Sequence, residues 1–139
     1  MKPSAHLALV DDDDSVRRAL ARLLRAHGWE TRCYASGPEF LASLGEARPF
    51  CVILDICMPV LNGLEVQAAL SRTPFHLPVI FLTSHDDPKT EAKARAGGAV
   101  GFFATPVDEA AFFEAITAFC PPHPFPFAMN TIRPALGIS

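Results

Sequence analysis

Leu7-Ala8-Leu9-Val10-Asp11-Asp12-Asp13-Asp14-Ser15 is the stretch that decides the fold, because four apolar residues stop abruptly at four carboxylates and a serine. An apolar run of strand length, closed by turn- and cap-forming residues, reads as a strand covered on both faces that feeds a helix. The same grammar recurs along the chain. Strands are expected at Leu7 to Val10, Glu30 to Tyr34, Cys51 to Leu54, Val79 to Leu82 and Val100 to Ala104. Between the first two, Ser15 to His27 sets Val16, Leu20, Leu23 and Leu24 at helical spacing, with Arg17, Arg18, Arg22 and Arg25 elsewhere and Gly28 as the stop. Further helices are expected over Pro38 to Leu44, Leu64 to Leu70, Lys89 to Ala96 and Glu109 to Phe119, the last capped by Asp108. Five βα repeats joined by short crossovers give a doubly wound α/β sandwich, a parallel sheet with helices on both faces.

The 139 residues, half of them hydrophobic, suit one domain and are too few for two ordinary ones. We place that domain at 1–120 and read 121–139, which holds Pro121, Pro122, Pro124, Pro126 and Pro134, as an extended or disordered tail. No apolar run approaches the roughly 20 residues needed to cross a bilayer, and no signal peptide precedes Asp11, so a cytoplasmic protein without membrane contact is expected. The net charge of −3 and the scatter of the twelve Lys and Arg argue against direct nucleic acid binding. The four cysteines form no CxxC pair, so neither zinc nor a disulfide framework is expected, and Cys33 and Cys51 read as small buried hydrophobes.

Chemistry in an open α/β sheet collects at the carboxyl ends of the strands. Here those ends carry Asp11 and Asp12, Asp55, Thr83 with Ser84, and Thr105 before Pro106. Carboxylates sharing one crevice repel, and each resists ionisation unless a hard cation intervenes, which points to Mg2+. A carboxylate beside such an ion can itself attack phosphorus, and Asp55, single and central, is the best placed to become an aspartyl phosphate. Thr83 offers a hydroxyl to a phosphoryl oxygen, and the Cys57 carbonyl a further metal ligand. Taken singly these residues have plainer readings, as helix caps for Asp13 and Asp14 and as turn or packing residues for Asp55 and Thr83. Their coincidence at one sheet edge is what favours the chemistry. His85 reads as a solvated loop residue, Gly97-Gly98-Ala99-Val100-Gly101 as a helix stop, and Phe102, Phe103, Phe112, Phe113 and Phe119 as core with one or two left for a partner surface.

Val10-Asp11-Asp12-Asp13, Asp55-Ile56-Cys57-Met58-Pro59 with Gly63, the strand from Pro78 to Thr83, and Ala96-Gly97-Gly98-Ala99 are the residues that carry a family resemblance. Over roughly residues 5 to 120 the chain resembles the receiver domain of bacterial two-component response regulators, in particular receivers that control LuxR-type outputs. The resemblance implies a flavodoxin-like sheet of order 2-1-3-4-5. It also implies a phosphoryl group passed to Asp55 from a sensor histidine kinase, with Mg2+ held by Asp11 or Asp12, Asp55 and the Cys57 carbonyl. Thr83 would turn toward the phosphoryl group and Phe102 would change rotamer, altering a face of helix four, strand five and helix five. That face would meet a downstream protein target or a second receiver in a homodimer.

One position departs from the pattern. Where the family has a lysine before the last proline, this chain has Thr105, which forgoes a charge-assisted contact worth on the order of 1.5 to 3 kcal/mol. Lys89 is a conceivable substitute. Two rivals follow, a receiver that acts as an interaction module without phosphorylation, and an aspartate-nucleophile phosphohydrolase. The hydrolase is disfavoured because its acid-base position holds Cys57.

Overall fold

The computed structural model describes residues 6–84 and 87–119; His85 and the proline-rich segment lie outside these residues. Five strands, β1 (Leu7–Val10), β2 (Thr31–Tyr34), β3 (Cys51–Asp55), β4 (Val79–Thr83) and β5 (Gly101–Ala104), pair in parallel in the order β2-β1-β3-β4-β5. They alternate with α1 (Asp14–Ala26), α2 (Gly37–Ser43), α3 (Gly63–Ser71), α4 (Pro88–Ala96) and α5 (Glu109–Phe119). The expected fold class, strand order and element sequence all hold. Glu30 and Val100 fall just outside their strands, although Leu7 N–H still bonds the Glu30 carbonyl and Val100 N–H the Val79 carbonyl.

Alternate strand residues feed two cores, as the period of two requires. Ala8, Val10, Leu54 and Phe81 pack with Phe40 of α2, Val66 of α3 and Ala94 of α4. Leu7, Leu9, Ile53 and Ile80 pack on the other face against Leu24 of α1 and Phe112 and Ile116 of α5. Both layers are fully closed, so truncating a side chain such as Phe81 would cost about 3–5 kcal/mol.

Each helix start is fixed by a side chain that accepts an orphan N–H. Asp13 accepts from Val16, Ser36 from Glu39, Asp87 from Lys89 and Asp108 from Ala111. Asn62 and Glu65 form a reciprocal capping box at α3. Gly28 and Gly98, at φ 98° and 99°, close α1 and α4 in the left-handed region that favours glycine.

Two expectations need correction. Val16 is expected on the buried stripe of α1 but is exposed, because the first turn of that helix overhangs the carboxyl edge of the sheet; Leu24 is buried as expected, Leu20 and Leu23 are half-buried, and Ala21 joins the core. Cys51 is buried as expected but is disulfide-bonded, a pairing set by distance in space that linear spacing does not reveal. Cys33 and Cys57 carry free thiols. Among the described residues no helix is long and apolar enough to cross a membrane.

Candidate functional site

Strand order reverses between β1 and β3, so the crossovers from these two neighbours leave on opposite faces and open a crevice at their carboxyl ends. Register sets what lies there. Val10 pairs with Leu54 and Asp55 with Leu82, so Asp11, just past β1, comes level with Asp55 at the end of β3, and Thr83, which pairs with Ala104, ends β4 one residue further along. One carboxylate oxygen from each of Asp11, Asp12 and Asp55 lies within 4.8 Å of the others. The crevice has a volume of about 480 Å³; Cys57, Thr83, Ser84 and Thr105 also line it, with Leu82 and the exposed Val16. Asp11 is 7% exposed and Asp55 half-buried, while Asp12 faces solvent.

Burial, and then the charge of Asp11, push the Asp55 carboxyl up to about 7, against opposing hydrogen bonds from the Cys57 and Ile56 N–H groups. Asp11 is also raised, chiefly by burial and further by Asp12 and Asp13, while the Asp13 N–H it accepts at 2.9 Å and the charge of Arg17 work the other way. Among the described residues no lysine or arginine lines the crevice. Arg17 is turned aside, donating to the Asp11 carbonyl at 2.8 Å and pairing with Asp14. Three hard-oxygen donors at this spacing, in a crevice lined by no lysine or arginine among the described residues, suit a small divalent cation of the Mg2+ class.

The structure brings together Asp11, Asp12, Asp55, Cys57, Thr83, Ser84 and Thr105, as the sequence suggested. Phe102 is not at the crevice. It lies beside Phe81 in the sheet register, 9% exposed, its ring 6.2 Å from that of Phe81. Thr105 is exposed at the rim, and its hydroxyl is directed at the Thr83 carbonyl, 3.4 Å away, rather than at a carboxylate. Lys89 does not line the crevice. Asp13, read as a cap only, both caps α1 and lines the wall. The arginines of α1, read as scattered, gather with Asp14 and Cys33 along a groove on that helix. Of the phenylalanines, Phe102 and Phe112 are core, and Phe113 stacks between His27 and Trp29 at 4.1 and 5.9 Å.

Residue-level reading missed Gly63 as a packing constraint on the acceptor strand. A Cβ at Gly63 would stand 2.4 Å from the Asp55 carbonyl, and the Gly63 N–H donates to the Ile56 carbonyl at 2.8 Å. It also missed Val60, a β-branched residue held at φ 70° and 84% exposed in the loop after β3. The signal for the α3 start was present in Asn62-x-x-Glu65, a capping-box spacing.

A family model described as the response regulator receiver domain matches residues 7–117. The chain is 38% identical over 108 residues to the response regulator protein TmoT of Ectopseudomonas mendocina, covering 78% of this chain and 49% of that one. It is 34% identical over 118 residues to the transcriptional regulatory protein FixJ of Azorhizobium caulinodans, covering 85% and 56%. Thus it spans about half the length of these relatives. A crystal structure of a response regulator receiver protein from Burkholderia phymatum superposes with a TM-score of 0.74 at 42% identity, over 87% of this chain and 97% of that one. The matched residues take in all five strands of the 2-1-3-4-5 sheet, and the chain belongs to the family of response regulator receiver domains.

Proposed function

We propose that this receiver domain accepts a phosphoryl group on Asp55 from the phosphohistidine of a sensor histidine kinase, in the cytoplasm, and relays its phosphorylation state to a protein partner. The observation that carries the reading is the convergence of Asp11, Asp12 and Asp55 within 4.8 Å at an open crevice. In this reading Asp11, Asp12, Asp55 and the Cys57 carbonyl hold Mg2+, which supplies neutralisation of the charge brought by the phosphoryl group. Asp55 must be ionised to act. One of its carboxylate oxygens then forms the bond to phosphorus as the bond from phosphorus to the donor nitrogen breaks, and the imidazole leaves with its electron pair. The Cys57 and Ile56 N–H groups, which donate to the Asp55 carboxylate, hold it in orientation. Thr83 and Ser84 line the wall where a phosphoryl oxygen would sit.

Relay would run from Thr83 to Phe102 and the face made by α4, β5 and α5, which would bind a downstream target or a second receiver. Phe102 packs inward against Phe81, so an outward rotamer is the available change. Thr105 favours a second reading, an interaction module that works without phosphorylation, because it brings no positive charge to the crevice.

Incubation of the full chain with acetyl phosphate and Mg2+, followed by intact mass, separates the two. One added phosphate on the wild type and none on Asp55→Ala is expected. No addition to the wild type, or the same addition to Asp55→Ala, would overturn the phosphoacceptor reading.

A further inference from the structure

Helix α3 begins pressed against the strand that carries the acceptor. Gly63 donates to the Ile56 carbonyl at 2.8 Å and leaves no room for a Cβ beside the Asp55 carbonyl, so a shift of that backbone must be felt by the helix. One turn further along the same face stands Gln67. It is buried where an aliphatic residue would pack, and its Nε2 donates to the Ala94 carbonyl in the last turn of α4 at 2.9 Å. That carbonyl also accepts the N–H of Ala99, at 3.0 Å, just ahead of β5. A single oxygen therefore joins α3, the end of α4 and the entry to β5.

The neighbouring glycine is shaped to this contact. A Cβ on Gly97 would lie 2.7 Å from Gln67 Oε1 and 2.9 Å from Nε2, although the backbone of Gly97, at φ −81°, would accept alanine. Burying an amide costs more than burying an aliphatic chain and its hydrogen bond recovers little net stability, so what Gln67 adds is a fixed register between two helices.

We infer that Gln67 is a positioning residue that couples the state of the Asp55 crevice to the turn between α4 and β5, with α3 as the rigid connector. The inference rests on the phosphoacceptor reading above. Its route does not pass through position 105, where threonine supplies no charge, and it ends on two elements of the proposed partner face.

The test uses the isotope-labelled full chain with Mg2+ and beryllofluoride as a phosphoryl mimic. Fluorine NMR of bound beryllofluoride reads loading of the crevice, and the Ala99 amide shift reads the turn. Gln67→Met removes the amide with little change of shape, while Gly97→Ala keeps Gln67 and pushes its flexible end off the carbonyl. Both variants are expected to load as the wild type does, while the loading-induced shift at Ala99 falls to about one fifth or less, the lower range of measured allosteric couplings. The double variant should add nothing further, since both changes break one contact. A full Ala99 response in either variant would overturn the inference, as would loss of loading in both, which would make Gln67 a support of the crevice itself. A wild type that does not load sinks the phosphoacceptor reading first, and so the two failures are distinguishable.

Discussion

Asp55 is held where its own charge is disfavoured, and this makes its ionisation measurable in the stability of the protein. Its carboxyl is raised from 3.8 to about 7 by burial and by Asp11, so between those pH values the folded chain keeps a proton that the unfolded chain has lost. Stability without Mg2+ must therefore fall as pH rises through that window. Because the side chain is partly exposed, solvent screening reduces the effect to roughly 1–2 kcal/mol. Asp55→Asn is expected to melt higher than the wild type at pH 8 and to converge with it near pH 4; coincident melting temperatures at both would refute the assignment. Thr105 offers the reciprocal experiment. Thr105→Lys places a cation at the rim of a crevice that has none among the described residues, and an opposite charge favours the carboxylate. The Asp55 titration, followed by carbon NMR of the carboxyl, should move below about 7. A midpoint that does not move would mean that the new side chain points to solvent, as the Thr105 hydroxyl now points to Thr83.

Among the elements, α3 bears most directly on the site, because its first residue touches the acceptor strand and its first turn is fastened by two reciprocal bonds, each 2.9 Å, between Asn62 and Glu65. Asn62→Ala should cost about 1 kcal/mol, the usual worth of a cap, with little effect on Mg2+ binding. Gly63→Ala should be worse on both counts. Its new methyl would meet Asp55 and Ile56 backbone at 2.4 and 3.0 Å, atoms that cannot swing away as a side-chain end can. We expect a loss of about 2 kcal/mol or more in a denaturant melt, in the range of overpacked cores, and weaker Mg2+ binding by calorimetry. Equal Mg2+ affinity in the two variants would show that α3 does not set the position of Asp55. Most element boundaries were legible because caps and stops are local chemistry: Asp108 and Gly97 announce themselves in the chain. Gln67 was not legible, because a polar residue in an amphipathic helix reads as solvent-facing until a second helix is seen to cover it.

At the scale of the molecule, the sheet has a reactive edge and a quiet one, and only the reactive edge could be read in advance. Asp11 follows the apolar strand β1 while Asp55 and Thr83 close the apolar runs of β3 and β4, and parallel pairing in the 2-1-3-4-5 order then brings them together without any long-range information from the chain. The overhang of Val16 and the disulfide at Cys51 depend on how layers stack, which periodicity does not encode. His6, at the opposite edge from the crevice, belongs to the same class. It is fully buried at the entry to β1, and both its ring nitrogens lack a hydrogen-bond partner among the described residues. Burial, and then the charge of Arg32, lower its pKa below the ordinary 6.5, with Glu30 opposing. The folded chain thus resists a proton that the unfolded chain binds, so the contribution of His6 to stability is whole above 6.5 and is lost as pH falls below it. This runs against the slope set by Asp55, and a single melting curve would mix the two. Comparison with His6→Leu isolates the histidine, because the crevice is common to both proteins and lies far enough away for the effects to add. The wild type should lose stability relative to His6→Leu between pH 7.5 and pH 5, and denaturant melts that stay parallel across that range would show that His6 is solvated or paired.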